Sequence, residues 1–158
     1  MALDEIATAP FRMYRSATLP AAPDAVFAEL ADPTRWIDWF PLLRSGEWTS
    51  RETGRVGAER ALTARVVGRI KTRILAWEPG KRFGFTFLTG FPFVARMAED
   101  WLLSRDPVGT RVDWNVGIEP TTLGRLATPM LRMSLNGLFT QGHANLGRLL
   151  RQRGTQVA

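Results

Sequence analysis

The chain has 158 residues, of which 45% are hydrophobic and 23% charged, and its formal net charge is +6. This length and composition are typical of one globular domain and exclude a disordered chain. Because the sequence contains no cysteine, disulfides and thiolate metal sites are excluded. No apolar run reaches the ~18 residues that span a bilayer, and residues 1–10 lack the pattern of a secretory signal, so we expect a cytoplasmic protein.

The basic residues are almost all arginines that stand singly along the chain, as Arg65, Arg69 and Arg73 do. No block of about five or more like charges occurs. We therefore expect a solvated basic surface and no nucleic-acid partner.

The first part of the chain predicts one strand followed by two short helices. Residues 1–10 are interpreted as a disordered lead, and Phe11–Leu19 as a strand. Pro23 suits the first turn of a short helix, and Asp32 is expected to cap a second one. This second helix carries two tryptophans and ends before Pro41.

The middle of the chain predicts six further strands separated by turns. They are expected at Leu43–Arg51, Ala58–Val67, Arg69–Trp77, Arg82–Thr89, Arg96–Arg105 and Thr110–Ile118. Phe83, Phe85 and Phe87 alternate with smaller residues, which indicates one buried and one wet face, as in antiparallel sheets. No helix-length connection separates the strands, so we predict an antiparallel meander.

From about Thr122 the apolar residues follow a helical period, and a long helix is predicted from Pro129 to about Arg153. Pro129 suits a first turn, or would kink a helix that began at Thr122. One stripe of this helix contains Leu131, Leu135, Leu138, Gly142, Leu146 and Leu149. The fold class predicted from these elements is α+β.

Four short motifs in a fixed order resemble those of the START-like superfamily, also known as SRPBCC. They are Ala22–Phe27 (APDAVF), Asp32–Pro41 (DPTRWIDWFP), Trp77–Phe83 (WEPGKRF) and Gly109–Trp114 (GTRVDW). This superfamily contains polyketide cyclases, dehydratases and lipid-transfer proteins. The resemblance implies a helix-grip fold over residues 11–154, in which a curved seven-stranded antiparallel sheet, two short helices and a long C-terminal helix enclose a cavity. It implies a single ligand-binding domain and no cofactor.

A hydrophobic ligand is the expected occupant of that cavity. One helix covers only part of seven strands, so the remaining space is either filled by side chains or left as an apolar pocket of ~300–1,000 Å³. The aromatic residues could either fill this space as core or line the pocket. The side chains that would line a pocket are Leu62, Phe83, Phe85, Phe87, Phe91, Phe93, Met97, Trp101, Trp114, Leu131, Leu135 and Leu138, together with Arg60 and Glu99.

The loop Gly90–Val94 places two aromatic residues around a proline. In the layout that the resemblance implies, this loop borders the mouth of the cavity. We predict that it acts as a lid or makes transient contact with a membrane, because exposed aromatic pairs usually mark a contact surface.

Three titratable residues are candidates for catalysis. Glu99 shares a strand face with Trp101, and Arg60 lies on an apolar strand face, so both could orient a polar group of the ligand or move a proton. Alternatively both lie in water at the open end of the sheet, with Asp100 or Arg96 exchanging roles after a one-residue bulge. His143 is expected at the flank of the helical stripe, and a single histidine cannot form a multi-histidine metal site.

Three functions are compatible with the sequence. The first is binding of a lipid, isoprenoid or polyketide-like molecule. The second is a cyclase or dehydratase that uses Glu99 and Arg60, although cyclases of the family place tyrosines in the pocket and the one tyrosine here is Tyr14 in the first strand. The third is a module that associates with macromolecules through the basic end of the chain, which contains Arg148, Arg151 and Arg153. The oligomeric state is not set by the sequence.

Overall fold

The structure, a computed structural model, describes residues 1–156, and within them all side chains except those at positions 128, 131, 155 and 156. The strands are β1 Phe11–Leu19, β2 Leu43–Trp48, β3 Glu59–Ala64, β4 Gly68–Glu78, β5 Arg82–Phe87, β6 Val94–Asp106 and β7 Gly109–Pro120. The α-helices are α1 Pro23–Ala31, α2 Trp36–Trp39, α3 Thr122–Leu126 and α4 Thr128–Gln156. Short 3-10 helices at Asp4–Thr8 and Pro33–Arg35 precede β1 and α2.

The seven strands form one antiparallel sheet in the order β1-β7-β6-β5-β4-β3-β2. Strands β2 to β7 follow one another as a meander, and β1 completes the sheet beside β7. Gly68 and Gly80 have φ angles of 75° and 66° at two of the hairpin turns, a conformation that glycine adopts without steric cost. The predicted α+β class and the antiparallel meander are confirmed.

The inner face of the sheet consists of the residues that the alternation predicted. Across β5, β6 and β7, Phe83 lies opposite Trp101, and Trp101 lies opposite Trp114. One step along the same strands, Phe85 lies opposite Glu99. These five side chains are all buried, because α2 and α4 cover this face of the sheet.

The outer face of the middle strands is covered by residues 1–10, which were expected to form a disordered lead. Asp4–Thr8 is instead a 3-10 helix that packs on β7, and Ile6 is buried there. Glycine makes this approach possible, because a Cβ atom at Gly117 would lie 2.9 Å from Cα of Ile6, and one at Gly84 would lie 2.7 Å from the side chain of Leu3. The middle of the sheet is therefore covered on both faces, by the N-terminal segment outside and by α2 and α4 inside.

The buried face of α4 is rotated relative to the predicted stripe. Phe139, His143 and Leu146 are buried, whereas Leu135 and Leu138 are only half-buried. The cause is a close approach at Gly142, where a Cβ atom would lie 3.0 Å from the ring of Phe40. His143 therefore lies inside the protein and not at the flank of the helix as predicted.

In the part of the chain that the structure describes, we find no helix with the length and apolar character needed to cross a bilayer.

Candidate functional site

The space between the sheet and α4 is occupied by aromatic side chains from α2 and its flanking residues. The ring centroid of Trp36 lies 6.2 Å from that of Trp101, and the centroid of Trp39 lies 6.1 Å from the same ring. Phe40 contacts Phe139 of α4 at 5.8 Å. Pro33 begins the 3-10 helix before α2 and Pro41 follows its C-cap, so prolines mark both ends of the segment that carries these aromatic residues.

The predicted enclosed cavity is not confirmed by this arrangement. Two clefts with volumes of about 290 Å³ and about 360 Å³ are open to solvent. The first lies between α2, β2 and Asn145 of α4, and the second between Ser50 and Ala58. Neither of these two clefts is lined by the predicted inner-face residues.

Arg60 of β3 is fully buried below the aromatic cluster. Its Nε donates to Oγ1 of Thr72 at 3.3 Å, and its Nη1 donates to the carbonyl of Leu30 at 3.1 Å. Leu30 lies in the last turn of α1, where carbonyl groups carry partial negative charge that favours a cation. One role of Arg60 is therefore to cap α1 from inside the protein.

The guanidinium of Arg60 lies among three aromatic rings. Its Cζ is 4.6 Å from the centroid of Trp36, 4.9 Å from that of Phe83 and 4.5 Å from that of Phe85. Burial lowers the pKa of Arg60 to about 9, and the nearby charge of Glu99 opposes that shift. The residue thus stays positively charged at neutral pH, although its Nη2 has no hydrogen-bond partner.

Glu99 of β6 is the second buried charged group of the inner face. Its Oε2 accepts a hydrogen bond of 3.0 Å from Nε1 of Trp114. Burial raises the pKa of Glu99 to about 7, while Arg60 and the indoles of Trp114 and Trp101 lower it in part. Nε1 of Trp101 faces the carboxyl group without reaching hydrogen-bond geometry. Glu99 is therefore close to the balance between its neutral and charged forms at physiological pH.

His143 completes the polar part of the cluster. Its ring lies 6.4 Å from Trp101 and 6.2 Å from Trp114, and its Nε2 is buried without a partner. Burial lowers the pKa of His143, and the positive charge of Arg15 lowers it further. The imidazole is therefore neutral in the native state at pH 7.

The inner face is less completely covered toward the β5–β6 loop. The rings of Phe85, Phe87 and Phe91 follow one another at centroid distances of 5.8 Å, and Phe87 and Phe91 are only half-buried. Leu135 and Leu138 of α4 are half-buried as well. This row of rings forms an apolar path from the surface to the buried Arg60.

The predicted site residues fall into three groups in the structure. Those that are buried on the inner face are Arg60, Leu62, Phe83, Phe85, Met97, Glu99, Trp101 and Trp114. Those that are half-buried are Phe87, Phe91, Leu135 and Leu138. Phe93 is exposed, and the side chain of Leu131 lies outside the described residues. Arg60 and Glu99 do not lie in water at the sheet end, so that alternative is wrong.

Sequence reasoning did not place Trp36, Trp39, Phe40 and Phe139 in the site. The first three have the spacing i, i+3 and i+4, which puts them on one side of a single helical turn. That spacing could have identified them as a unit that packs on the sheet. Among the residues that the structure describes, no three acidic or histidine side chains converge as metal ligands would.

Comparisons with known proteins agree with this fold. The sequence profile of the family described as polyketide cyclase / dehydrase and lipid transport matches residues 10–151. An uncharacterised protein from Mycobacterium tuberculosis is 30% identical over 144 residues, which cover 89% of this chain and 85% of that protein.

Two solved structures show the same fold at low sequence identity. A protein from Thermus thermophilus superimposes with a TM-score of 0.74 at 17% identity, over 90% of this chain and 99% of that one. The Zhui aromatase/cyclase from a Streptomyces species superimposes with a TM-score of 0.71 at 18% identity, over 94% of this chain and 96% of that one.

Proposed function

The chain belongs to the polyketide cyclase/dehydrase and lipid-transport family, and we propose that it binds a small amphipathic molecule on the inner face of its sheet. Arg60 and Glu99 hold the polar group of this ligand. Its apolar body lies along the row of phenylalanines under the first half of α4. Lipids, isoprenoids and polyketide-like molecules that carry an oxygen function fit this description.

Buried hydrogen-bond donors without acceptors carry the proposal. Nη2 of Arg60 and Nε1 of Trp39 are buried and unpaired, and Nε1 of Trp101 faces Glu99 without a well-formed hydrogen bond. Trp101 packs against Trp39, and Trp36 links these rings to Arg60. Each unpaired buried donor costs about 1–3 kcal/mol, so a purely structural core would be expected to avoid such donors. A carbonyl, hydroxyl or carboxylate oxygen of a ligand would supply the missing acceptors.

The second half of α4 is held firmly to the body of the protein. Arg153 pairs with Glu29 of α1 and with Asp38 of α2. Asn145 donates to the carbonyl of Trp39 at 2.9 Å. These contacts fix the C-terminal end of the helix over α1 and α2, so this end is not expected to open.

Access of the ligand to the inner face therefore requires movement of the first half of α4. Its described leucines are half-buried, and a bond of 2.8 Å from Nη2 of Arg15 to Asn136 ties it to β1 at the edge of the sheet. This hydrogen bond lies on the β1 side of the helix. We expect the opposite side, over β5 and the β5–β6 loop, to move away from the sheet. We expect the helix to open at its N-terminal end and the rings of Phe40 and Phe139 to separate.

Two probe molecules of different shape test this proposal. Palmitate represents a linear chain and a dihydroxyanthraquinone represents a fused-ring polyketide. The indole N–H signals of the six tryptophans, recorded by NMR in ¹⁵N-labelled protein, report on each donor separately. We expect one probe to shift the signals of Trp39 and Trp101 most.

Matched variants decide whether the probe uses the inner face. Phe87→Ala should weaken binding by about tenfold, whereas Leu88→Ala, which changes the neighbouring outward-facing residue, should leave it unchanged. Arg60→Met should weaken binding of palmitate more than binding of the uncharged probe. Equal effects at positions 87 and 88, or no movement of any indole signal, would contradict the proposal.

Proton transfer by Glu99 is the second candidate function. The observation that favours it is a buried carboxyl group with a pKa of about 7, because a general acid or base works best when its pKa is near the operating pH. The family description and the similarity to a Streptomyces aromatase/cyclase suggest a polyketide as the class of substrate to test. Glu99→Gln should then abolish turnover and retain binding of the probe; turnover by the variant at the unchanged rate would exclude this role.

A further inference from the structure

The surface formed by α3 and the first turns of α4 carries four apolar side chains that face solvent. They are Leu123, Leu126, Met130 and Met133, which we call the apolar ridge. Leu126 is 81% exposed and Met133 is 71% exposed, so most of each side chain is in contact with solvent. Single exposed apolar residues are normal, but four on neighbouring turns form a patch of the kind that marks an interaction surface.

The α3 part of the apolar ridge is held against the β5–β6 loop by backbone and hydroxyl hydrogen bonds. The backbone N–H of Thr121 donates to the carbonyl of Phe93 at 3.2 Å, and its hydroxyl donates to the carbonyl of Pro92 at 2.8 Å. Gly124 lies so close to Phe93 that a Cβ atom would be 2.0 Å from the carbonyl oxygen. The backbone of Phe93, whose side chain is exposed, therefore lies directly against α3.

The charges around the ridge have one sign. Residues 121–156 contain no aspartate or glutamate. Arg125 and Arg132 are exposed and alternate with the ridge residues along the chain, and the guanidinium of Arg132 lies over the ring of Phe11, with its Cζ 5.2 Å from the ring centroid. Glu119, the carboxylate nearest to α3 in sequence, is already paired with Arg96 at 3.2 Å. The surface thus combines exposed apolar side chains with arginines, and residues 121–156 contribute no carboxylate to it.

We propose that the apolar ridge docks on the surface of an anionic lipid bilayer. Its four side chains enter the boundary between headgroups and acyl chains, and Arg125 and Arg132 meet lipid phosphates, as in interfacial amphipathic helices. A second copy of this chain fits less well, because the two acid-free surfaces would bring like charges together. A nucleic acid would engage the arginines and leave the apolar side chains in water. The proposal does not depend on the ligand of the inner face.

Vesicle flotation with the full chain tests this docking. The probes are vesicles of phosphatidylcholine with added phosphatidylglycerol, and vesicles of phosphatidylcholine alone. We expect binding to the anionic vesicles and little to the neutral ones, with a loss as salt is raised. The double variant Leu126→Glu/Met133→Glu should bind at least about tenfold more weakly, and Arg125→Gln/Arg132→Gln roughly tenfold more weakly.

A matched control carries the same charge change elsewhere on the surface. Val66 and Val108 are 76% and 74% exposed in the β3–β4 and β6–β7 turns, so Val66→Glu/Val108→Glu should retain vesicle binding. All these positions are exposed, so thermal unfolding should show that each variant folds. Equal loss in the control, equal binding to neutral vesicles, or dimer formation that the ridge variant abolishes would overturn the proposal. Unchanged indole N–H signals in the ¹⁵N spectrum would show that the inner face is intact in every variant.

Discussion

Nε1 of Trp114 donates a hydrogen bond of 3.0 Å to Oε2 of Glu99, and both side chains are buried between the sheet and α4. This bond stabilises the charged carboxylate, and the positive charge of Arg60 does so as well. The two together do not offset the cost of burial, since the pKa of Glu99 remains raised to about 7. The core of this protein therefore contains a carboxyl group that changes its charge near neutral pH.

The raised pKa of Glu99 predicts a contribution to stability that is lost as the pH rises from about 4.5 to about 7. In this window the unfolded chain has released the proton of Glu99 and the folded chain still holds it, so this contribution to the free energy of unfolding falls with pH, by roughly 3 kcal/mol in total. The lowered pKa of His143 contributes with the opposite sign below about 6.5. Urea unfolding of the parent protein and of Glu99→Gln at a series of pH values isolates the Glu99 contribution as the difference between the two proteins. The exposed Glu119→Gln should keep the pH dependence of the parent; a difference between the parent and Glu99→Gln that does not change with pH would contradict this origin.

Arg60 and Glu99 should be energetically coupled although they do not form a direct ion pair. Arg60→Met removes the bonds to Thr72 and Leu30 and should lower the free energy of unfolding by about 3 kcal/mol. Glu99→Gln in the same chain should cost less than it does alone, with a coupling of about 1 kcal/mol or more.

The matched comparison is the exposed pair of Arg73 and Glu59, whose nitrogen and oxygen atoms are 2.7 Å apart. A double-mutant cycle there should give a coupling below about 1 kcal/mol, because water screens the charges. Additive effects of the two substitutions at positions 60 and 99 would show that Arg60 and Glu99 are not energetically coupled.

The C-terminal end of α4 should depend on Arg153. This residue pairs with the buried Glu29 of α1 and, at 3.0 Å, with Asp38 of α2. Arg153→Ala should lower the free energy of unfolding by about 1–2 kcal/mol and speed hydrogen exchange in the last turns of the helix. The control is Arg55→Ala, which removes an exposed pair with Glu52 and should change stability by less than about 0.5 kcal/mol. Unchanged hydrogen exchange in Arg153→Ala would contradict the role of Arg153 in holding the C-terminal end of α4 to α1 and α2.

Two glycine substitutions should have opposite effects. Gly117→Ala forces a Cβ atom against the backbone of Ile6, so it should displace the N-terminal segment and expose it to limited proteolysis. Gly137→Ala adds a Cβ atom with no neighbour within 4 Å on a helix, and it should raise the free energy of unfolding by about 0.5–1 kcal/mol. Equal protease resistance of the Gly117 variant and the parent protein would contradict the role given to this contact.

The sheet could be predicted from the sequence because its signals are local. The period of two in β5 and β7 and the turn residues around Gly80 and Pro107 determine which side chains share a face. The same alternation placed Arg60 and Glu99 on the inner face. The four motifs then added the curvature of the seven-stranded sheet around the C-terminal helix, which periodicity alone does not contain.

The filling of the site could not be predicted in the same way. The direction in which Trp36 and Trp39 point depends on how a four-residue helix lies across strands that are distant in sequence. His143 turns inward because Gly142 admits Phe40, a contact between residues about 100 positions apart. The N-terminal segment was missed because its counterpart is a glycine on the outer face, and a missing side chain gives no apolar signal.

The N-terminal 3-10 helix also affects hydrogen exchange in the sheet. The backbone of β6 around Ala98 is buried between Ile6 on one face and the aromatic cluster on the other, so we expect water to reach it only when one of these layers unfolds. Amide protons there should exchange with deuterium only when the entire molecule unfolds, so their rates measure global stability. Strand β2 at the sheet edge lacks such protection and should exchange by fraying, long before the centre opens.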